Sequence, residues 1–133
     1  MTAVVICVLG VGVVSAVNTR RMQLRMMCSS NLAKIGQALA SYSTTDLSGP
    51  VPMEKLVEQG ILKKGETVCP ASRGGVSNYI LSQHSAQSVG PNTGVLVYEP
   101  LSNHGNGINV LFAAGQCKFV PKAQIEQLNI PKP

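Results

Sequence analysis

The apolar positions of this chain change pattern along its length. From Ala3 to Val17 it reads AVVICVLGVGVVSAV, with no charge. Beyond that run the apolar residues thin to a stripe: Leu24, Cys28, Leu32, Ile35, Leu39 and Tyr42. Their steps of four, four, three, four and three mark one face of an α-helix. Gln23, Arg25, Ser29, Lys34, Gln37 and Ser41 cover the other faces. No Pro precedes Pro50, and Gly36 is the only Gly between Asn18 and Ser48. The pattern predicts one continuous helix from about Ala3 to about Ser43, apolar all round in its first part and amphipathic in its second.

Ser43 to Pro52, STTDLSGPVP, is a turn-rich break. Met53 to Gln59 then reads as a short helix, with Pro52 at its start and Gly60 at its end. Lys63-Lys64-Gly65 turns the chain, and Val68-Cys69-Pro70 is a short extended piece. Ser77 to Ser82 and Gly94 to Tyr98 read as strands, separated by a polar loop from Gln83 to Thr93. The clearest hairpin joins Ile108–Ala113 to Gln116–Val120 through a tight Ala114-Gly115 turn. A short C-terminal helix is expected from Pro121 to about Leu128, with Ile125 and Leu128 as its apolar contacts. The fold class is therefore α+β: a long N-terminal helix packed on a small antiparallel sheet. Leu24, Leu32, Ile35, Leu39, Tyr42, Phe112 and Phe119 are its expected core, because only the helical stripe is long enough to cover the sheet.

Composition removes some functions. The 133 residues carry 11 basic and 6 acidic side chains, a net charge of +5. Arg20, Arg21 and Arg25 sit beside the apolar run, where basic residues meet lipid headgroups, and the other basic residues are scattered. With no Trp, three Tyr and two Phe there is no aromatic platform for bases, and no nucleic-acid partner is expected. The four cysteines, Cys7, Cys28, Cys69 and Cys117, form no C-x-x-C pair. Two readings stay open for the last three: one disulfide among them outside the cytoplasm, or small buried apolar residues.

The apolar run has three readings. A cleaved secretory signal would use Val14-Ser15-Ala16, but no basic region precedes the run. A lone membrane anchor would be short, since Ala3 to Val17 spans roughly 22 Å of a roughly 30 Å core. Charge alone would then put the arginine side in the cytoplasm. The third reading is the exposed half of one long helix, held in the bilayer before assembly and in a filament core afterwards. The unbroken pattern into the stripe favours the third. Residues 1–19 are accordingly the membrane or filament-core half of the helix, and 20–133 the globular domain with its amphipathic half.

Three strings carry a family resemblance. They are Cys28-Ser-Ser-Asn31-Leu32-Ala-Lys-Ile35-Gly36-Gln-Ala38-Leu39, then Val68-Cys69-Pro70, then Asn103-His104-Gly105 through Ala114-Gly115. In the last, His104 precedes Ala114-Gly115 by nine intervening residues. Together they resemble the prepilin-type H-X9-DG proteins, a planctomycete-type group of pilin-like subunits. Ala114 stands at the family's Asp and Gln116 where a His often follows. No residue matches the family's processing site, and Val5 stands where the family's Glu would be sought, so cleavage and N-methylation are carried over to no residue here.

The resemblance implies a fold like type IV pilins and type II secretion pseudopilins. It implies a structural subunit, not an enzyme, whose domain lies outside the cytoplasm in the bacterial cell envelope. Its partners would be copies of itself in a filament, inner-membrane assembly machinery and the lipid bilayer. It also implies Cys28–Cys69 as the disulfide, because both fall in family-like strings, with Cys117 as a free thiol on the sheet's inner face. Gly10 and Gly12 lower helix propensity by roughly 1 kcal/mol each relative to Ala. They let backbones approach closely, so Val4, Val5, Leu9, Gly10, Gly12 and Val13 are the expected self-association residues. The alternative function is a monomeric membrane-tethered binding module presenting the Gln83 to Gly107 loops.

Site chemistry is sparse in the sequence. With Ala114 replacing Asp, His104 reads as a loop histidine bonded to nearby backbone. Glu99, Asn103 and Asn106 are a thin ligand set for calcium, and no cofactor is expected. Cys69 or Cys117 with His84 or His104 would make a nucleophile and base, but no third residue orients them. Glu54 and Glu58 share a helix face that reads as solvated surface.

Overall fold

The computed structural model describes residues 2–43, 53–72, 79–82 and 94–128, and of residues 2–15 and 43 the backbone alone. One helix, α1, runs without interruption from Thr2 to Ser43. It passes through Arg20, Arg21 and Arg25 with no linker, as the absence of helix breakers predicts. The second helix, α2 (Met53–Glu58), buries Met53 and Leu56. Gly60 ends it at φ +70°, a conformation that only glycine adopts cheaply.

The four strands β1 (Ile80–Leu81), β2 (Val95–Tyr98), β3 (Gly107–Phe112) and β4 (Cys117–Pro121) form one antiparallel sheet in sequential order. The Ser77–Ser82 strand is described only as β1, and the expected Gln83–Thr93 loop lies outside the described residues. The β3–β4 register pairs Ile108 with Val120 and Leu111 with Cys117. The turn is wider than a two-residue Ala114-Gly115 link. The Phe112 N–H donates to Gln116 O at 2.9 Å, and the Gly115 N–H donates to Phe112 O at 2.8 Å.

The helix stripe lies against the inner face of the sheet, chiefly on β3. Cys28, Leu32 and Ile35 are fully buried, Ala38 joins them, and Leu39 and Tyr42 pack at the edge. Leu24, at the upper end of the stripe, is half-buried. Gly36 permits this approach, since a Cβ there would lie 2.8 Å from a Leu111 methyl. The exposed Lys34–Glu66 pair, 2.8 Å apart, ties α1 to a 3₁₀ turn at Lys64–Thr67. Such pairs contribute little in water.

The opposite face of the sheet is apolar too, so the helical stripe is not its only cover. Val95, Tyr98, Ile108, Val110 and Val120 form a second cluster, covered by Ile125 and Leu128. Those two residues belong to a 3₁₀ helix at Lys122–Leu128, not an α-helix, and Pro121 ends β4 instead of opening it. Phe112 packs in this outer cluster, half-buried, and not in the helix-facing core. A register shift between Val95 and Val97 sends Val95 outward and Val97 inward, where strict alternation would put both on one face. Among the described residues no helix is long and apolar enough to cross a membrane.

Candidate functional site

The chemically dense part of the molecule lies where α1 first meets the sheet. Cys28 faces inward from α1, and Cys69 follows the Lys64–Thr67 turn in a buried position. The two form a disulfide with Cα atoms 5.2 Å apart, inside the range that bridged cysteines need. Cys117 is a free, half-buried thiol on β4, and burial raises its pKa above the ordinary thiol value.

Beside the disulfide sits Glu99, with no exposed surface. It follows the last residue of β2 and precedes Pro100. Its Oε1 accepts from the Asn109 backbone N–H and from Asn109 Nδ2, each at 2.6 Å. His104 Nε2 lies 3.2 Å from the same oxygen, and the imidazole side chain is 4% exposed. The same nitrogen is 3.8 Å from Cys69 Sγ. The other carboxylate oxygen, Glu99 Oε2, is buried with no hydrogen-bond partner. Cys28, Cys69, Glu99 and His104 thus bring one donor atom each within 4.8 Å of one another.

A second layer ties this cluster to the helix. The Asn109 amide donates to Arg25 O at 3.4 Å, and the Tyr79 hydroxyl donates to Cys28 O at 3.3 Å. Arg25 donates to Asn106 Oδ1 at 2.8 Å and lies over the Phe119 ring, 4.1 Å from its centroid. The Phe119 ring meets His104 edge to face. Phe119 is therefore a half-buried platform for Arg25, and not the buried core residue expected of it.

The placements differ from the sequence reading in one main respect. His104 faces a carboxylate, not nearby backbone, and that carboxylate is Glu99. Ala114 is exposed beyond the far end of β3. The six-residue strand between them separates His104 from Ala114 by on the order of 20 Å at the usual rise per residue. An Asp in place of Ala114 would not reach the imidazole. Gly115 sits in the same turn at φ +80°. Asn106 Oδ1, one of the three side-chain oxygens weighed for calcium, accepts from Arg25. Cys69, the nucleophile considered with His104, has its sulfur in the disulfide, and His84 lies outside the described residues. Glu54 and Glu58 are exposed on α2. Val4, Val5, Leu9, Gly10, Gly12 and Val13 belong to α1, and their side chains lie outside the described residues.

The sequence marks Glu99 only as one of three thin calcium ligands, not as the partner of His104, and does not single out Asn109. A Glu closing an apolar strand before Pro, and an Asn interrupting Ile108–Phe112, are each ordinary alone. No protein-family model, curated protein or solved structure matches the chain.

Proposed function

We propose that this chain is a pilin-like, pseudopilin-like structural subunit of the bacterial cell envelope. Its domain lies outside the cytoplasm, and its apolar N-terminal helix joins copies of itself in a filament or secretion-type assembly. The observation that carries this reading is the unequal use of α1. The domain buries one face of the helix from Cys28 to Ala38, whereas Ala16 to Gln23 are exposed all round and the helix continues unbroken to Thr2. About 26 residues of helix precede Cys28, on the order of 40 Å. A helix of that length gains most of its stability from burying an apolar face, not from propensity. Bilayer and neighbouring subunits are the two environments that supply such burial to the run from Ala3 to Val17.

Two further features support the reading. A buried disulfide suits an oxidising compartment, and the strings from Cys28 to Gly115 resemble the H-X9-DG group. The test is electron microscopy of the native assembly, joined to crosslinking and membrane fractionation of Gly10→Leu and Gly12→Leu. Assembly should fall in both variants while membrane insertion persists. Variants that assemble like the parent, or a parent that is strictly monomeric in membranes, would replace this reading with a membrane-tethered binding module.

A further inference from the structure

We propose that Cys28, Cys69, Glu99 and His104 form a second, thiol-dependent state of the domain: a closed site for a zinc-class divalent ion. The inference does not depend on the assembly reading. Two sulfurs, one imidazole nitrogen and one carboxylate oxygen make a tetrahedral donor set suited to zinc. In such a site neighbouring ligand atoms lie roughly 3.3–3.8 Å apart, given metal–ligand bonds of about 2.0–2.3 Å. The four donors already fall within 4.8 Å, and His104 Nε2 is 3.8 Å from Cys69 Sγ. Small side-chain adjustments close the remainder once the sulfurs separate.

Burial and an unmet valence point the same way. Cys28, Cys69 and Glu99 are 0% exposed, as in structural sites that keep no open position. Glu99 Oε2 is buried without a partner while Oε1 is surrounded by donors. A half-satisfied buried carboxylate is costly, and a cation at the cluster would offset that cost. The Asn109 N–H and amide already fix the carboxylate, the part that outer-shell groups play around metal ligands.

The two states compete for the same sulfurs. A small thiol reductant cleaves the Cys28–Cys69 bond in two exchange steps. Two thiol groups of the reductant are oxidised to its disulfide, and their two protons go to Cys28 and Cys69. A divalent ion then displaces those two protons to form two metal–sulfur bonds. In the disulfide state the sulfurs are no longer thiolate ligands, so metal affinity is gated by redox state.

The experiment is a Co2+ titration of the full chain in detergent, oxidised or reduced with a phosphine, followed by displacement with Zn2+. The reduced chain should bind one ion, showing sulfur-to-cobalt charge transfer and the visible bands of a tetrahedral ion. The oxidised chain should show neither. Glu99→Gln and His104→Gln should each weaken binding at least tenfold, and Cys117→Ser should leave it unchanged. Absence of binding by the reduced parent, folded or unfolded, overturns the site. So does equal binding by the oxidised parent, or parental affinity in both Glu99→Gln and His104→Gln. The oxidised-versus-reduced comparison needs no variant, so a folding defect in either substitution leaves the test intact.

Discussion

Breaking the Cys28–Cys69 bond should cost the domain about 4 kcal/mol. The cysteines are 41 positions apart. In the chain-entropy account a crosslink closing a loop of that size removes roughly 13 cal/mol/K from the unfolded ensemble, or about 4 kcal/mol at room temperature. Single domains have only about 5–15 kcal/mol in total. A loss of that size should lower the midpoint of thermal unfolding by roughly 10–20 °C. Tyr79 offers a local reporter, because it is buried and its hydroxyl donates to Cys28 O. The chain has no Trp, so tyrosine emission is not masked. Far-UV dichroism would be less informative, since helix in the apolar N-terminal run, held in detergent, would persist. Urea unfolding of the full chain should be followed by tyrosine emission, with and without a phosphine, and with a chelator present to exclude metal. A Cys28→Ser, Cys69→Ser double substitution should match the reduced parent. If reduction changes stability by less than about 1 kcal/mol, the disulfide is not constraining the unfolded chain as argued.

Other positions give independent checks. Leu32→Ala empties a fully buried site and should cost about 2–5 kcal/mol, against little change for the exposed Gln37→Ala in the same urea series. Gly36→Val adds volume 2.8 Å from Leu111; overpacking of about 1–3 kcal/mol should exceed any gain in backbone rigidity, so the midpoint should fall. Burial raises the Cys117 pKa, so its alkylation at about pH 8, just below the ordinary thiol pKa, should be slower than that of the urea-unfolded chain, and should accelerate as pH rises through the elevated pKa.

The helical half of the fold was legible because its signal is local. A stripe at steps of three and four needs only the sequence around it, and Cys28, Leu32 and Ile35 are all fully buried. The hairpin was legible for a similar reason, although its turn is wider than two residues. The outer apolar face was not, since it depends on where Ile125 and Leu128 return to the sheet. The bulge between Val95 and Val97 was equally hidden, because alternation is indifferent to one extra residue in a partner strand. At the site, His104 was visible as the His of the family-like string but reads as an ordinary loop histidine, so its carboxylate partner was not legible. Glu99 and His104 are close in sequence, but Glu99 is held by Asn109, whose amide in turn donates to the Arg25 carbonyl on α1.

The position of this cluster matters as much as its chemistry. Among the described residues, its long-range ties to α1 fall between Arg25 and Asn31. Arg25 meets Phe119 and Asn106, the Arg25 carbonyl accepts from Asn109, Cys28 is bonded to Cys69, and Asn31 donates to Val68 O. Just before this segment the helix surface becomes exposed, from Ala16 to Gln23. A force on the N-terminal half therefore reaches the domain first at these residues. Apolar contacts alone would resist it by sliding and fraying one turn at a time, since hydrophobic attraction is non-directional. A covalent bond, a charged planar group over a ring and hydrogen bonds to the helix backbone resist displacement along the axis. On the proposed function, load passing between helices in an assembly meets a crosslinked junction before it reaches the Leu32–Ile35 core. The buried carboxylate and imidazole keep their place beside that junction. Reducing the disulfide would consequently weaken both the domain's stability and its mechanical hold on the helix, whereas a metal bound by the same four side chains would restore the connection without the covalent bond.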